Sequence, residues 1–364
     1  MDAHIVIIGG GIAGLSLAWR LAPAVSVVVV EAEASLAFHS SSRSARQMQP
    51  SYGPAPIQEL TRRSIAMVGD ISAGLPAAIL KPRPLITLGS VAQANTLAAG
   101  NTNLVRLSHA ETMKLSPDLR PEAFAAAVLD DTAMEVDVPA LVEFYRSQAV
   151  AAGAVVLTNA PVTSAMAHEG RFEVVAGEHV VLAGIVVNAA GAWADPVAAV
   201  FGVRPRGLVP HRRSVAIVST ATPANPAGPM VEPADESFYY RPDGEHLLIS
   251  PCESVPTEPG DAQVVAEHIA ELVHRIDAVT SLGITGVERS WTGLRTHPAD
   301  GLPVVGFDAA VPGFFWLAGQ GGYGIQTSAA LATLAAGLIK GELAPDDAGL
   351  AAALSPERPG LAGS

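Results

Sequence analysis

A glycine-rich segment between two short apolar runs constrains this chain more than any other feature. Residues Gly9–Gly14 fit the pattern G-x-G-x-x-G. The β-branched run His4–Ile8 precedes them, and Ile12–Leu21, which has helical composition, overlaps and follows them. A second apolar run, Val25–Val30, ends at Glu31. Strands that are apolar throughout are typical of a parallel sheet covered by helices, so the chain is predicted to open with a β-α-β unit.

The chemistry of this unit indicates a dinucleotide site. Gly9 permits the tight turn, Gly11 lets the backbone approach a pyrophosphate, and Gly14 lets helix and strand pack closely. The helix N-terminus offers N–H donors and a partial positive charge to the anion. Glu31 would accept hydrogen bonds from the adenosine ribose and repel a 2′-phosphate, which disfavours NADP. FAD and NAD share the motif, and the plain alternative is a tight turn with Glu31 as a solvated strand end.

Composition excludes several classes of protein. Hydrophobic residues are 49% of the 364 and charged residues 16%, which excludes disorder for the body of the chain and suggests two or three domains. The net charge is −13 without a basic stripe, so nucleic acid is not an expected partner. The apolar stretches 5–19 and 180–194 fall short of a bilayer span of about 20 residues and are interpreted as buried strands. The single cysteine, Cys252, fits a reducing compartment, so a cytoplasmic protein is expected, with peripheral membrane attachment left open.

Apolar periodicity and turn residues predict further elements. Helices are predicted at 56–71, 138–152, 261–276 and 325–339. Strands are predicted at 85–88, 154–157, 162–167, 171–175, 180–188, 214–219, 237–240, 246–250 and 314–318. Residues 221–235 are interpreted as a surface loop, 319–324 as a glycine loop, and the tail from Leu343 as a segment that frays.

Several later motifs resemble one family. They are the segments His39–Ala45, Asn188–Trp193, Asp235–Tyr239, Trp291–Arg295, Pro298–Pro303 and Gly319–Ser328. Together with the amino-terminal glycines, they resemble the FAD-dependent amine and D-amino-acid oxidoreductases, the D-amino-acid oxidase (DAO) family. The resemblance extends over nearly the whole chain. Within the family, it is strongest to bacterial D-arginine dehydrogenase.

The resemblance implies an α/β fold with two discontinuous domains. A Rossmann-like FAD-binding domain with a parallel sheet would comprise 1–78, 138–206 and 285–364. An α+β substrate domain with a mainly antiparallel sheet would comprise 79–137 and 207–284 and cover the flavin ring. FAD is the implied cofactor, bound without a covalent link, because Cys252 does not match the cysteine that tethers flavin in sarcosine oxidases. No metal site is predicted.

The resemblance also implies which residues bind FAD. They are Gly9, Gly11, Ile12, Ala13, Gly14, Glu31, Ser40, Ser41, Arg43, Ser44, Ala45, Val162, Ala190, Gly191, Trp193, Arg295, Gly321, Gly322, Tyr323, Gly324, Ile325 and Gln326. Val162 would contact the adenine through its backbone. The loop 321–326 would present N–H groups and a helix N-terminus to the flavin pyrimidine edge, where reduction adds negative charge. The plain alternative for 319–324 is a strand-to-helix turn.

Arginine and tyrosine side chains would hold the substrate carboxylate. The resemblance assigns this role to Arg213, Arg295, Tyr52 and Tyr239. Arginine stays charged when desolvated, its planar fork matches a carboxylate, and tyrosine hydroxyls complete the anion's hydrogen bonds. Without the resemblance, each arginine would be interpreted as a surface charge. Arg212 is the adjacent candidate, but strand alternation points it to the opposite face.

The predicted substrate pocket departs from D-arginine dehydrogenase at three positions. Leu85 stands where that enzyme has the glutamate that pairs with the substrate guanidinium, and a buried leucine cannot compensate a cation. Gln47 and Gln49 replace a histidine and a threonine. Gly322 completes the pocket. D-arginine and D-lysine are therefore predicted to be poor substrates, and uncharged side chains are predicted to be preferred.

The implied reaction is oxidation of the Cα–N bond of a small D-amino acid to an imino acid. Hydride would pass to flavin N5, and no dedicated general base is assigned. The alternative substrate is a 2-hydroxy acid or an N-methylated amino acid such as sarcosine. A non-catalytic nucleotide-binding module is a third hypothesis, against which the arginine–tyrosine group argues. An electron acceptor such as oxygen or a quinone is the implied partner.

Overall fold

The structure is a computed structural model that describes residues 1–361. Within this range, two large sheets are surrounded by helices. The strands are β1 Asp2–Ile8, β2 Val27–Val30, β3 Gln47–Met48, β4 Leu80–Pro82, β5 Leu85–Gly89, β6 Val105–Leu107, β7 Ala126–Asp130, β8 Met134–Val136, β9 Val155–Leu157, β10 Val162–His168, β11 Arg171–Ala176, β12 His179–Asn188, β13 Val209–Thr220, β14 Met230–Pro233, β15 Tyr239–Asp243, β16 His246–Ser250, β17 Val255–Pro256, β18 Ile284–His297, β19 Val304–Phe307 and β20 Phe314–Ala318. The helices are α1 Ile12–Leu21, α2 Ala55–Ala73, α3 Val91–Gly100, α4 His109–Leu115, α5 Val138–Ala151, α6 Ala194–Val200, α7 Ala266–Val279, α8 Gly324–Lys340 and α9 Ala348–Leu354.

The first sheet has eight strands and a parallel centre. Its order is β10-β11-β12-β1-β2-β9, and β20 pairs with β12 and β19. The contacts β12–β1, β1–β2, β2–β9 and β12–β20 are parallel. Ile5 and Ile7 pack into the core on one face of the sheet, while Val6 and Ile8 pack into the core on the other. Burial on both faces explains why β1 is apolar throughout.

The second sheet has nine strands and is mainly antiparallel. Its order is β17-β13-β16-β15-β14-β5-β7-β6, and β18 pairs along the length of β13. One face packs against α7, whose Ile269, Leu272 and Ile276 are buried there. The opposite face carries Val215, Met230 and Tyr239 in a separate apolar cluster. The predicted α/β fold class, with a Rossmann-like sheet and a second antiparallel sheet, is confirmed.

The two sheets draw on different parts of the chain. The strands of the first sheet all fall within the segments predicted as FAD-binding, and β5–β7 with β13–β17 fall within those predicted as substrate-binding. Strand β18 begins at Ile284 and belongs to the second sheet, although the predicted boundary at 285 assigns nearly all of it to the FAD-binding segments. The domain boundaries themselves stay a prediction.

Three predicted elements need correction. The predicted surface loop 221–235 contains β14, whose Met230 and Val231 are buried because the strand fills the gap between β15 and β5. Helix α7 begins at Ala266 rather than at Asp261. The tail from Leu343 does not fray within the described residues, because Arg358 donates to the Asp300 carboxylate at 2.7 Å while Leu354 is buried. The last three residues of that predicted tail, 362–364, lie outside the described part of the chain.

Candidate active site

The turn between β1 and α1 can be built only with glycine. Gly9 has a φ of +110°, and a Cβ there would lie 2.4 Å from the Ala189 carbonyl oxygen at the end of β12. A Cβ on Gly14 would lie 2.0 Å from the carbonyl oxygen of Gly9. Both contacts are too close for any other residue, so the backbone turn packs against the helix that follows it.

The carboxylate of Glu31 is bound to the loops that surround this turn. Its Oε2 accepts a hydrogen bond from the Gly10 amide at 2.7 Å, and its Oε1 accepts one from the Glu33 amide at 2.9 Å. These bonds orient the acid at the carboxyl end of β2. Glu31 therefore lies where the fingerprint predicts the ribose-binding acid.

A cavity of about 380 Å³ opens in front of the glycine turn. Most of the predicted cofactor residues of the fingerprint and of the β12 end line it: Gly9, Gly11, Ile12, Ala13, Glu31, Ser40, Ser41, Val162, Ala190, Gly191, Trp193, Gly321 and Gly324. Gly14 does not line the cavity, because it is used in the contact between helix and turn. Tyr323 does not line it either; it precedes α8 as the N-cap residue.

Two buried polar atoms at this cavity have no hydrogen-bond partner within the described residues. They are Nδ1 of His39 and Oγ1 of Thr296, and both side chains belong to the cavity wall. Unpaired buried polar atoms are uncommon in folded proteins, and here they fit the ribose and phosphate oxygens of a dinucleotide. The site therefore fits FAD on its own geometry. His39 belongs to one of the family motifs but has no predicted role, and no sequence signal pointed to Thr296.

The serine-rich segment after β2 forms hydrogen bonds to the start of α1 and to β18 of the second sheet. The Ile12 amide donates to Ser41 Oγ at 3.0 Å, and Ser40 Oγ donates to the Leu294 carbonyl at 2.7 Å. The Arg43 guanidinium donates to the Thr292 carbonyl and pairs with Asp261 at 2.7 Å. This segment therefore lies between the glycine turn and β18, and the guanidinium of Arg43 is already engaged by protein groups.

A second cavity, of about 130 Å³, adjoins the first. The two share part of their walls: Ile12, Ser40, Ser41, Leu294, Gly321 and Gly324. The predicted substrate residues Arg213, Arg295, Tyr52, Tyr239, Gln47, Gln49 and Gly322 all line the second cavity, together with the predicted cofactor residues Arg43, Ser44, Ala45, Ile325 and Gln326. The two cavities therefore adjoin at the residues of their shared wall.

The two arginines create a positive end in the second cavity. Arg213 lies on β13 and Arg295 on β18, which are adjacent antiparallel strands. Among residues 1–361, neither guanidinium has a carboxylate within 4 Å, and Arg213 Nε donates instead to the Glu253 carbonyl at 2.7 Å. Burial and the charge of Arg295 lower the pKa of Arg213. Two neighbouring half-buried cations without an acidic partner among the described residues are typical of a site for an anion.

Hydroxyl groups accompany this pair. Burial alone lowers the pKa of Arg295, but its interactions with Tyr52, Tyr239 and Cys252 outweigh that effect, so the pKa lies above its ordinary value. The Tyr239 side chain is only 4% exposed, and its hydroxyl has no partner within the described residues. The ring of Tyr52 lies 5.3 Å from that of Tyr323. Both tyrosines can therefore offer hydrogen bonds to an anion held by the arginines.

Gly322 sets the position of the Arg295 guanidinium. A Cβ at this glycine would lie 2.9 Å from a terminal nitrogen of Arg295 and 3.0 Å from its Cζ. The guanidinium therefore packs directly against the backbone of the 319–324 loop. The loop is followed by α8, whose first residue is Gly324, so the helix N-terminus and the arginine lie at the same wall of the cavity.

Leu85 does not line the second cavity. It is 3% exposed and packs in the apolar cluster with Met230 and Tyr239, and Met230 is its partner on the parallel neighbour β14. Two acidic residues that no sequence motif indicated, Glu232 and Glu236, do line the cavity. Alternation of side chains along a strand at Met230 and Glu232 is the one sequence signal for Glu232, but the sequence predicts a surface loop over 221–235.

Cys252, interpreted as a half-buried structural thiol, also lines the second cavity and is half-buried. Burial raises the pKa of its thiol to about 11, so it is protonated at neutral pH. Across residues 1–361, no three His, Cys, Asp or Glu side chains are grouped to hold a metal ion. None of the helices in that range is long and apolar enough to cross a membrane.

The fold and the glycine turn with its cavity are those of an oxidoreductase that binds a dinucleotide cofactor, and the cavity with the two arginines adjoins that site. The family model of the DAO family, FAD dependent oxidoreductase, matches residues 4–338. The chain therefore belongs to this family, and FAD is its cofactor.

Curated proteins and solved structures agree with this assignment. Human mitochondrial dimethylglycine dehydrogenase is 26% identical over 361 residues, covering 89% of this chain and 41% of its own length. The hydrogen cyanide synthase subunit HcnC of Pseudomonas aeruginosa is 30% identical over 175 residues, covering 47% of this chain and 41% of its own length. The chain thus spans about two fifths of the length of the curated relatives it matches.

Glycine oxidase from Geobacillus kaustophilus has a similar fold, with a TM-score of 0.83 at 23% identity over 96% of this chain and 98% of that one. L-proline dehydrogenase from P. horikoshii has a TM-score of 0.82 at 18% identity, covering 98% and 97%.

Proposed function

We propose that this protein is an FAD-dependent dehydrogenase or oxidase that acts on the Cα–N bond of small amino acids. The D enantiomer is proposed as substrate, with uncharged side chains preferred at neutral pH. The observation that carries the proposal is the half-buried pair Arg213 and Arg295, which has no carboxylate within 4 Å among residues 1–361 and lines the cavity that adjoins the dinucleotide cavity. A cytoplasmic location and oxygen or a quinone as electron acceptor complete the proposal.

The residues of the cavity would orient the substrate. Arg213 and Arg295 would bind its carboxylate, and the hydroxyls of Tyr52 and Tyr239 would complete the hydrogen bonds. This fixes Cα near the wall shared by the two cavities, and positioning of this kind contributes several kcal/mol to catalysis. Bound FAD supplies the acceptor for the hydride that leaves Cα. The N-terminus of α8 would stabilise negative charge at that wall.

The protonation state of Glu232, which lines the cavity, favours uncharged side chains at neutral pH. Burial and the neighbouring charge of Glu236 raise the pKa of Glu232 to about 8, so this carboxyl is mostly protonated at neutral pH. In that state Glu232 offers no negative charge to a cationic side chain, and the Glu236 carboxylate at the cavity is exposed to solvent, which weakens any pairing with a cation.

An N-methylated amino acid such as sarcosine is the second candidate substrate. The similarity to dimethylglycine dehydrogenase, which covers 89% of this chain, favours it. A 2-hydroxy acid would also present a carboxylate to the arginine pair. The N-methylated amino acid carries nitrogen and the 2-hydroxy acid carries oxygen next to the carboxylate-bearing carbon. Because both have a carboxylate, both would use the same arginine site.

Anaerobic reduction of the flavin tests the proposal. The FAD-loaded protein would be mixed with matched D- and L-amino acids, sarcosine, dimethylglycine and 2-hydroxy acids. Loss of the visible flavin band is expected with uncharged D-amino acids. Reduction by the N-methylated or hydroxy compounds alone would shift the assignment to the second candidate, and no reduction by any compound would contradict an oxidoreductase of small carboxylates.

A further inference from the structure

We call Arg213, Arg295, Tyr52 and Tyr239, which are proposed to bind the substrate carboxylate, the carboxylate clamp. Two carboxyl groups outside this clamp also line the second cavity. Met230 and Glu232 are two residues apart on β14 and therefore share one face of the sheet, while Val231 points into the core on the other face. Glu236 follows in the loop between β14 and β15, is exposed, and lines the same cavity. The cavity thus has acidic groups as well as the two arginines.

The acidic and basic groups occupy different ends. In the second sheet, β14 is three strands away from β13, the strand of Arg213, which corresponds to roughly 14 Å between backbones. Arg295 is one strand farther, on β18. Within residues 1–361, no Arg, Lys or His lies within 4 Å of Glu232 or Glu236. The one hydrogen bond to the Glu232 carboxylate comes from Thr87 Oγ1 at 3.4 Å.

Two further polar atoms indicate that a ligand with polar groups fills the space between these ends. The Tyr239 hydroxyl on β15 and Oε1 of Gln47 on β3 are buried in the cavity wall without a partner among the described residues. Their side chains are 4% and 9% exposed. Buried polar atoms are costly when unpaired, so their orientation toward the cavity is most simply explained by a bound polar molecule.

We propose that Glu232, assisted by Glu236 at the cavity mouth, binds the cationic end of a dipolar substrate whose carboxylate is held by Arg213 and Arg295. The inference rests on the function proposed above, since both place the substrate carboxylate at the arginine pair. The ligand class is a carboxylic acid with an ammonium or guanidinium group several bonds away from the carboxylate. To pair with it, the Glu232 carboxyl must be ionised.

Ionisation of Glu232 makes this recognition dependent on pH. The other charged or titratable groups of the cavity wall are Glu236, Arg43, Arg213, Arg295, Tyr52, Tyr239 and Cys252, and Arg43 is paired with Asp261. Burial raises the pKa of Tyr239 and that of Cys252, and the arginines stay charged. Strand β5 contributes only the uncharged Thr87. Below its raised pKa of about 8, Glu232 holds a proton, so the site favours neutral ligands; above it, the site favours cations.

Binding of two unreactive carboxylates tests the proposal. The FAD-loaded protein would be titrated with hexanoate and with 6-aminohexanoate from about pH 6 to about pH 9, by calorimetry and by the flavin spectrum. The quantity to follow is the ratio of the affinity for 6-aminohexanoate to the affinity for hexanoate. Any pH effect on the carboxylate clamp or the flavin acts on both ligands and cancels in this ratio. The ratio in favour of 6-aminohexanoate is expected to rise roughly tenfold per pH unit below pH 8 and then level off. The same ratio is measured for two shorter pairs, 4-aminobutyrate with butyrate and 5-aminopentanoate with pentanoate. The chain length that gives the largest ratio indicates the distance between the basic and acidic ends of the cavity.

Variants separate Glu232 from the other acids. Glu232→Gln, which keeps the shape of the side chain, is expected to abolish the pH dependence of the ratio while hexanoate still binds. Glu236→Gln is expected to reduce the ratio less, because that side chain is exposed. Glu245→Gln removes an exposed acid outside the cavity and is expected to change nothing.

The proposal is overturned if the ratio is independent of pH in the unmodified protein for all chain lengths, if Glu232→Gln leaves its slope intact, or if no carboxylate binds. Its failure can be told apart from failure of the proposed function. Flavin reduction by uncharged amino acids together with a flat ratio would contradict the acidic end alone. The expected ratio without reduction by any amino acid would instead support the acidic end and contradict the proposed reaction.

Discussion

The roles of single residues follow from where the strands place them. Arg213 and Arg212 are neighbours in sequence, yet of the two only Arg213 lines the second cavity, as strand alternation predicts. Residue type alone does not distinguish Arg295 from Arg289 on the same strand. The packing of Arg295 against Gly322 makes it a candidate ligand, whereas Arg289 is exposed and lies over Trp291.

Replacing Arg295 with methionine tests the carboxylate site. Arg295→Met keeps much of the side-chain volume and removes the charge. The expected loss of transition-state binding is about 2–5 kcal/mol, which lowers kcat/KM for the best substrate roughly thirty-fold to several thousand-fold. Steady-state kinetics and the affinity for hexanoate would measure the loss. Arg289→Met on the same strand is the control and is expected to have little effect. A loss below about tenfold, or 1.4 kcal/mol, would contradict the role of Arg295.

Leu85 gives a prediction about stability. Leu85→Glu would put a carboxylate among Met230, Tyr239 and other apolar groups, and an uncompensated buried charge costs about 3–5 kcal/mol. Urea unfolding should show this loss, whereas Leu85→Met should cost less than about 1.5 kcal/mol. Turnover of D-arginine is not expected to rise in either variant. A stable Leu85→Glu protein that gains D-arginine turnover would return this residue to the substrate pocket.

At the scale of elements, the β1–turn–α1 unit was predictable and β14 was not. The bounds of α1 agree with the prediction because the glycine pattern, the apolar run and the helical composition are local signals. Strand β14 has only four residues in a segment rich in proline and alanine, and it is a strand because β5 and β15 pair with it. Glu232, which lies on it, was missed for the same reason.

Two glycine substitutions in helices are expected to have opposite effects. Gly14→Ala forces a Cβ to within 2.0 Å of the Gly9 carbonyl oxygen, so stability is expected to fall by about 1–3 kcal/mol, with weaker retention of FAD. Gly69→Ala lies in the exposed middle of α2, where a Cβ meets nothing within 4 Å, and is expected to gain about 0.5–1 kcal/mol. Thermal unfolding and the flavin content after gel filtration would measure both. Equal effects of the two changes would contradict the close packing of turn and helix.

At the scale of the whole molecule, the buried guanidinium of Arg206 links the carboxy-terminal segment to the first sheet. Arg206 pairs with Asp308 at 2.8 Å and with Glu357 at 2.7 Å, and the Trp316 indole N–H donates to Asp308. Burial alone raises the pKa of Asp308, but the bonds from Trp316 and Arg206 outweigh it and hold the pKa below its usual value. The charged form of Asp308 therefore stabilises the folded state.

Asp308→Asn tests this contribution. Because the folded-state pKa of Asp308 lies below the unfolded value of about 3.9, its stabilisation is fully present above that value and is lost as the pH falls through the folded pKa. The variant is expected to be less stable by roughly 3 kcal/mol near neutral pH, and the difference should shrink below about pH 4. Urea unfolding at a series of pH values measures it. Asp70→Asn on the exposed face of α2 is the control, and a difference independent of pH would contradict the charged pair.

The sequence by itself determined the dinucleotide fingerprint and the family, and it named the arginines and tyrosines that the structure brings to one cavity, because short local motifs carry these signals. It could not locate Leu85 behind the cavity wall, the acidic end formed by Glu232 and Glu236, or the anchored carboxy-terminal segment. Only the tertiary structure decided those features. Each arises where strands or side chains distant in sequence meet, and the burial and charge of such groups are set by neighbours that no local pattern contains.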